Sequence, residues 1–494
     1  MVSTASNLPK YQLFIDGKWR DSASGRTFES IDPYAGQPWA LFADASSEDV
    51  DSAVAAARKA YETQWRRMSG YERSRLMQAL ADALDDNAER IGNVETIDNG
   101  KVIRETVTQA HFSARSYRYF SGLAEVIPLD NAQIFDFTMR EPRGVCGLIL
   151  AWNSPMNLLA NKLAPALAAG NTVVVKPSEH ASASILEFAT LVDKVGFPSG
   201  VFNVVTGFGP TTGTALAEHP DVDMISLTGG LASGRAVGAT TAAQLKPLVL
   251  ELGGKSPHII FADADLDRAI PGVLAGIFAA AGQTCIAGSR LLVQDSVYDK
   301  VIAALVERAD KIRLGNPLDP KTEMGPLANP PQFERVLGYI EDGRKDGAKL
   351  LTGGRRAAGA NLSQGFFVEP TIFADANNQM KVAREEIFGP VLTVIRYKDE
   401  EEALQISNDS DYGLAAGLWT NNLSRAMRIT RELRAGTVWV NTYRSISPAA
   451  PFGGYKKSGS GRERGVEALR DYTQLKNVMI DFSTSQRDPF AVRT

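Results

Sequence analysis

Cys285 stands in the run Ala-Gly-Gln-Thr-Cys-Ile-Ala-Gly-Ser-Arg, with Gly282 and Gly288 on either side of it. A cysteine sulfur is an able nucleophile toward a carbonyl carbon, and nearby glycines let backbone amides approach a developing oxyanion. The competing reading is an inert buried thiol, the ordinary state of a cysteine that follows an apolar helix. Cys146, the other cysteine, lies inside Gly-Val-Cys-Gly-Leu-Ile-Leu and reads as packing. Glu251 closes the apolar run Leu-Val-Leu-Glu ahead of Leu252, Gly253 and Gly254. It is either a solvated strand end or a general base, because a partly buried carboxyl has a raised pKa that suits it to take a proton from water. Asn153 sits where an apolar strand gives way to Ser154-Pro155. It is either a turn or capping residue or, at the carboxyl end of a parallel strand, an amide donor to an oxyanion.

A second group of residues has the chemistry of a nucleotide site. Lys176 and Glu179 follow the β-branched run at 172–175, where they are either merely solvated or bind the hydroxyls of a ribose. A carboxylate there would repel a 2′-phosphate and so favours NAD over NADP. Glycines at 207, 209 and 213 miss the dinucleotide spacing G-x-G-x-x-G. Thr228-Gly229-Gly230, ahead of a helix, makes a better phosphate cradle, since free amides and the helix dipole both favour an anion.

These residues need elements to hold them. Asp16-Gly17 between two β-prone runs at 11–20 predicts a hairpin at a domain edge. Residues 47–131 recur at helical spacing, with one helix starting at Ser47 and another at 71–87. From Gly144 the pattern changes to short aliphatic runs at 145–151, 172–175, 201–205, 224–227 and 248–250, separated by helices, which argues for parallel strands with right-handed crossovers. A second βα series follows: helices at 266–281 and 297–312, strands at 290–293, 391–397 and 437–440, and surface connections at 317–331 and 353–364.

With 494 residues, 44% of them hydrophobic, the chain is long enough for two or three domains. Its 57 acidic and 53 basic residues include no Lys/Arg run able to track a phosphate backbone, so nucleic acid is not an expected partner. Two cysteines exclude a disulfide framework and fit a reducing compartment. The polar start of the chain lacks a signal-peptide pattern, and the apolar run at 269–281 is too short to span a bilayer. A cytoplasmic protein with no membrane partner is expected. The four histidines, at 111, 180, 219 and 258, lack ligand spacing, so no metal is expected.

Taken together, Trp152-Asn153, Lys176-Pro177-Ser178-Glu179, Thr228-Gly229, Glu251-Leu252-Gly253-Gly254-Lys255, Gly282-Gln283-Thr284-Cys285, Glu385-Glu386-Ile387-Phe388-Gly389-Pro390 and Pro451-Phe452-Gly453-Gly454 resemble, in this order, the aldehyde dehydrogenase superfamily from about residue 13 to 481. The resemblance implies NAD-dependent, non-acylating oxidation of an aldehyde. Cys285 attacks the carbonyl, the Asn153 side chain and the Cys285 amide hold the oxyanion, hydride passes to the nicotinamide, and Glu251 activates the water that releases the acid. It further implies that Lys176 and Glu179 hold the adenosine ribose, that Trp152, Gly209, Thr228, Gly229 and Leu252 lie against the cofactor, that Glu386 binds the nicotinamide ribose and that Phe388 packs near the ring. Lys162 matches a lysine assigned to proton relay; its alternative is a helix-surface salt bridge.

The organisation implied is an α/β chain. It has a Rossmann-like parallel-sheet cofactor domain (1–121 and 143–253), a second α/β catalytic domain (254–457) and a small β oligomerisation element (122–142 and 473–494). A homodimer or homotetramer is expected, with a strand at 473–482 and a hairpin at 127–140 at the subunit contact and a polar tail at 485–494. Ser154 replaces the family's usual aromatic residue, and Gly230 its usual serine. The first opens the substrate tunnel, whose wall Asn157 and Asn161 make more polar, so a bulky or polar aldehyde is expected. The alternatives are a CoA-acylating enzyme, against which Glu251 argues, and a non-catalytic binding protein on the same scaffold.

Overall fold

The computed structural model describes residues 8–124, 130–133, 136–359 and 362–480. An eight-stranded sheet has at its centre five parallel strands in the order Leu248–Glu251, Met224–Thr228, Val145–Ile149, Thr172–Lys176, Phe202–Val204. Four of the five are wholly buried, as strands covered by helices on both faces must be, while Leu248–Glu251 alternates buried and half-buried residues. From Val145–Ile149 the chain builds outward on one side through two strands, then returns to build on the other. The strand order therefore reverses between Val145–Ile149 and Met224–Thr228, and a crevice opens there at the carboxyl ends. The predicted hairpin, Leu13–Ile15 with Lys18–Arg20, turns through Asp16 and Gly17, both at positive φ, and edges this sheet.

A seven-stranded sheet follows in the order Lys349–Thr352, Thr371–Ala376, Val391–Tyr397, Arg290–Gln294, Pro257–Ile260, Ala415–Trp419, Thr437–Val440. All but its first strand run parallel. The chain crosses from one sheet to the other at 252–256, immediately after Glu251. Asn153, Thr228 and Glu251 thus lie at or just beyond the carboxyl ends of one sheet, and Cys285 lies just before a strand of the other. A third sheet pairs Thr473–Met479 with Asp136–Pro142, and that strand with Asp130–Gln133. The expected hairpin at 127–140 lies only partly within the described residues, and the polar tail at 485–494 lies outside them.

One local expectation is corrected, and further strands join those expected. The helix expected over 266–281 spans Leu266–Phe278, and Ala280, Ala281 and Gly282 then take positive φ values of 52°, 52° and 73°. Alanine in this region costs about 1–2 kcal/mol per residue, so tertiary contacts override a strong helix former to turn the chain toward Cys285. Pro257–Ile260, Thr371–Ala376 and Ala415–Trp419 are strands that the sequence pattern did not reveal. Gly459–Ser460, from the far end of the chain, adds antiparallel to Leu248–Glu251.

Candidate active site

The Val145–Ile149 strand leads through Trp152 and Asn153 into the helix Pro155–Ala169, whose N-cap is Ser154. Asn153 is therefore not the cap. Its buried amide Nδ2 donates to the Gln283 carbonyl at 3.0 Å, two residues before Cys285, and keeps a second N–H to give. The Cys285 amide donates to no described residue. Two donors with capacity to spare thus meet the backbone at 283–285, around the nucleophile.

Cys285 is half-buried, whereas Cys146 is fully buried. Burial, reinforced by Glu386, Glu251 and Glu463, pushes the Cys285 thiol up to about 12, with the Ile286 amide opposing. The resting group is a thiol, so its attack needs a base. An alanine at position 254 would put its Cβ 2.5 Å from the Cys285 carbonyl oxygen. Only glycine lets the crossover segment pass so close to the nucleophile.

Glu251 is 3% exposed and neither carboxyl oxygen has a partner among the described residues, which removes the solvated-strand-end reading. Burial, then the nearby Glu463, hold its carboxyl well above the usual range, against the pull of Lys162, Arg462 and Arg464. Lys162 is also fully buried, so the helix-surface salt bridge is excluded. Its Nζ lies 2.5 Å from Glu463 Oε1 and 3.0 Å from Ser226 Oγ. Lys162, Glu463 and Glu251 form one buried charged group, with Glu251 its unbonded member.

The other side of the crevice carries the nucleotide-type residues. Lys176 Nζ pairs with Glu179 at 3.2 Å. Thr228 Oγ1 is buried without a partner, and Gly229 donates its amide to the Glu251 carbonyl. Gly230 caps the helix Leu231–Ala243 with no side chain in front of the helix amides. Glu386 Oε1 accepts from the Gly254 amide at 3.0 Å, and a Cβ at Gly253 would lie 2.0 Å from its other oxygen. Burial raises the Glu386 carboxyl to about 7. Phe388, at φ 59°, meets Trp152 edge to face at 5.3 Å. Leu252 is buried against Gly234. Gly209 is exposed at the start of the turn Gly209–Gly213, and no hydrogen bond joins it to the other predicted residues. Among the described residues no cluster of His, Cys, Asp and Glu could hold a metal ion, and no helix is long and apolar enough to cross a membrane.

Residues 19–478 match the model of the aldehyde dehydrogenase family. The chain belongs to that family. Its relatives include an aldehyde dehydrogenase of Aspergillus niger, 44% identical over 96% of this chain and 97% of that one. The (Z)-2-((N-methylformamido)methylene)-5-hydroxybutyrolactone dehydrogenase of Acinetobacter baylyi is 44% identical over 98% and 100%. The NAD+ complex of an aldehyde dehydrogenase from Bacillus cereus superposes with a TM-score of 0.93 at 41% identity, covering 96% of this chain and 97% of that one.

Three charged residues of this family member escaped the sequence reading. Glu463 is 1% exposed, Lys101 5% and Arg464 5%. Lys101 Nζ donates to Ser154 Oγ at 2.7 Å and Gln109 Oε1 at 2.9 Å; Arg464 Nε donates to Asn161 Oδ1 at 2.9 Å. The one available signal was Gly461-Arg462-Glu463-Arg464-Gly465, charges packed between glycines just after the last motif. Lys162→Met should destabilise the fold by about 3–5 kcal/mol in a urea titration, because it leaves the Glu463 charge buried and unpaired. A loss below about 1 kcal/mol would show that Glu463 has a replacement partner.

Proposed function

We propose that the chain oxidises an aldehyde to a carboxylic acid with NAD, through a covalent adduct on Cys285. The carrying observation is the half-buried Cys285, with two N–H donors to spare along the backbone at 283–285, and the unbonded Glu251. The residues present fit the dinucleotide. The unpartnered Thr228 Oγ1 and the bare helix start at Gly230 suit its phosphates. Lys176 and Glu179 suit the adenosine ribose, Glu386 the nicotinamide ribose, and Trp152, Leu252 and Phe388 the apolar faces of the rings, with Gly229 near the pyrophosphate and Gly209 at the outer rim. The cofactor-binding unit comprises 1–121 and 143–253, the catalytic unit 254–457, and the strands in 122–142 and 473–494 form a subunit contact of a homodimer or homotetramer in the cytoplasm.

In this reading Cys285 Sγ bonds to the aldehyde carbon while its proton passes to a basic group in the cleft. Asn153 Nδ2 and the Cys285 amide donate to the oxygen that gains charge. When bound, the nicotinamide supplies the acceptor for the hydride that leaves this carbon, which converts the thiohemiacetal to a thioester. Glu251 then takes a proton from water as the water attacks the thioester, and the C–S bond breaks to free the acid and the thiol. Lys162 and Glu463, in contact with each other and in the field of Glu251, offer the proton a way out. Ser154, in place of an aromatic side chain, leaves room for a bulky or polar aldehyde, and the A. baylyi relative's name supports a functionalised substrate.

The test is reduced-nicotinamide absorbance with NAD across aliphatic, aromatic and polar aldehydes. Turnover with release of the acid supports the proposal, and silence across the panel overturns it. Asn153→Ala should lower kcat by about 10²-fold or more, the usual effect of removing one oxyanion donor. A loss confined to KM would remove Asn153 from that role.

A further inference from the structure

Two buried cations, Lys101 and Arg464, bracket the Ser154–Asn161 face of the helix Pro155–Ala169, which packs against the helix Ile103–Ala124. Ser154 and Asn161, seven residues apart on one helix, place the two cations roughly 10 Å apart along it. Both are close enough to Cys285 to feel its charge as a thiolate. The Arg464 guanidinium lies over the Phe112 ring at 5.3 Å and the Phe452 ring at 5.0 Å, and Phe452 packs against the same apolar cluster as Cys285. Two aromatic faces hold a planar cation rigid without neutralising it.

The neighbouring carboxylates act on this charge only from a distance, Glu95 and Glu105 on Lys101 and Glu463 and Glu251 on Arg464, and none closes an ion pair with it. Glu463 is taken by Lys162, and Glu105 faces Arg444 at 3.6 Å. Glu95 accepts from the Met156 amide and Ser184 Oγ, and burial raises its carboxyl. Glu251 has no partner among the described residues and forms no ion pair with either cation. Among the described residues no carboxylate lies within ion-pair distance of Lys101 or Arg464, and the two terminal nitrogens of Arg464 donate to nothing. The Arg464 terminal nitrogens are not sealed from solvent, so an incoming anion can reach them.

Resting on the aldehyde-oxidising reading, we infer that the substrate carries a carboxylate at the end remote from its carbonyl, bound by the Arg464 fork with Lys101 adding attraction. A guanidinium presents two parallel N–H groups that match a carboxylate's two oxygens. A neutral or cationic aldehyde would leave the arginine unpaired.

The experiment compares 5-oxopentanoate with its methyl ester, equal in reach and different in charge. The acid should exceed the ester in kcat/KM by about 30-fold, carried mainly by KM, the scale of a lost charge-assisted hydrogen bond. Arg464→Gln should bring the acid-to-ester ratio of kcat/KM close to one, and Arg464→Lys should restore part of the preference. Equal use of acid and ester by the wild type, or equal loss of both in Arg464→Gln, overturns the inference while leaving aldehyde oxidation intact. If neither aldehyde turns over, alkylation of Cys285 without dinucleotide still decides it. The iodoacetate-to-iodoacetamide rate ratio in the wild type should exceed that of free cysteine by about tenfold. A ratio equal to that of free cysteine overturns it.

Discussion

Replacing Cys285 by alanine should lower kcat/KM for every aldehyde by roughly 10⁴-fold or more, to the limit of detection, because no other group can form the covalent adduct. The remaining thiol, Cys146, is fully buried within a strand of the first sheet, and its own acidity is suppressed by burial. It cannot substitute. The fold should persist, since Cys285 sits in a loop and belongs to no strand or helix. Thermal unfolding and NAD titration of the variant separate the two effects. An inactive variant that still binds NAD and melts like the wild type supports the nucleophile assignment, whereas residual turnover within tenfold of the wild type would end it.

Glu251→Gln has a different signature. The glutamine cannot take a proton from water, so release of the acid should slow by about 10²–10⁴-fold, while the first turnover still forms reduced nicotinamide. A stopped-flow trace should show a burst near one equivalent per site followed by a nearly flat line. If the burst disappears together with the steady state, Glu251 serves the attack by sulfur and not the release. The same substitution bears on stability. A carboxyl whose folded-state pKa is raised binds its proton more tightly when folded than when unfolded. It therefore costs stability progressively as pH climbs from its unfolded value near 4.5 toward its folded one. Glu251→Gln should accordingly gain on the wild type as pH rises through that window, and a pH-independent difference would contradict the unbonded, buried geometry.

How much of this was written locally in the chain varies by element. Val391–Tyr397 and Thr437–Val440 were read with their observed bounds because β-branched and aliphatic runs flanked by polar residues have one obvious conformation. Pro257–Ile260 escaped because four residues beginning with proline carry too little pattern, and Ala415–Trp419 because alanine and glycine are poor strand formers that burial between two neighbours overrides. The misjudged helix end at Phe278 has the same cause in reverse, two alanines bent by contacts from outside their own segment.

The site divides in a similar way. Cys285, Glu251 and Asn153 stand out locally only as candidates, each beside a bland alternative, and it is the ordered set of motifs resembling the aldehyde dehydrogenases that singles them out. Glu463, Lys101 and Arg464 do not stand out, since each acquires meaning from a partner 53 to 303 residues away. A charged residue destined for burial looks, in one dimension, like any solvated one.

The two-residue strand Gly459–Ser460 has a bearing on how the molecule is made. It covers the open flank of Leu248–Glu251, and the Ser458 carbonyl also accepts the Leu252 amide. During synthesis that flank emerges from the ribosome some two hundred residues before its cover does, at a translation rate of about 5–20 residues per second. For roughly ten seconds or more the nascent first sheet presents an unpaired, aliphatic margin. Premature termination before residue 459 would make that margin permanent, and such fragments would be candidates for chaperone capture and clumping even though every strand of the first sheet's parallel core had been translated.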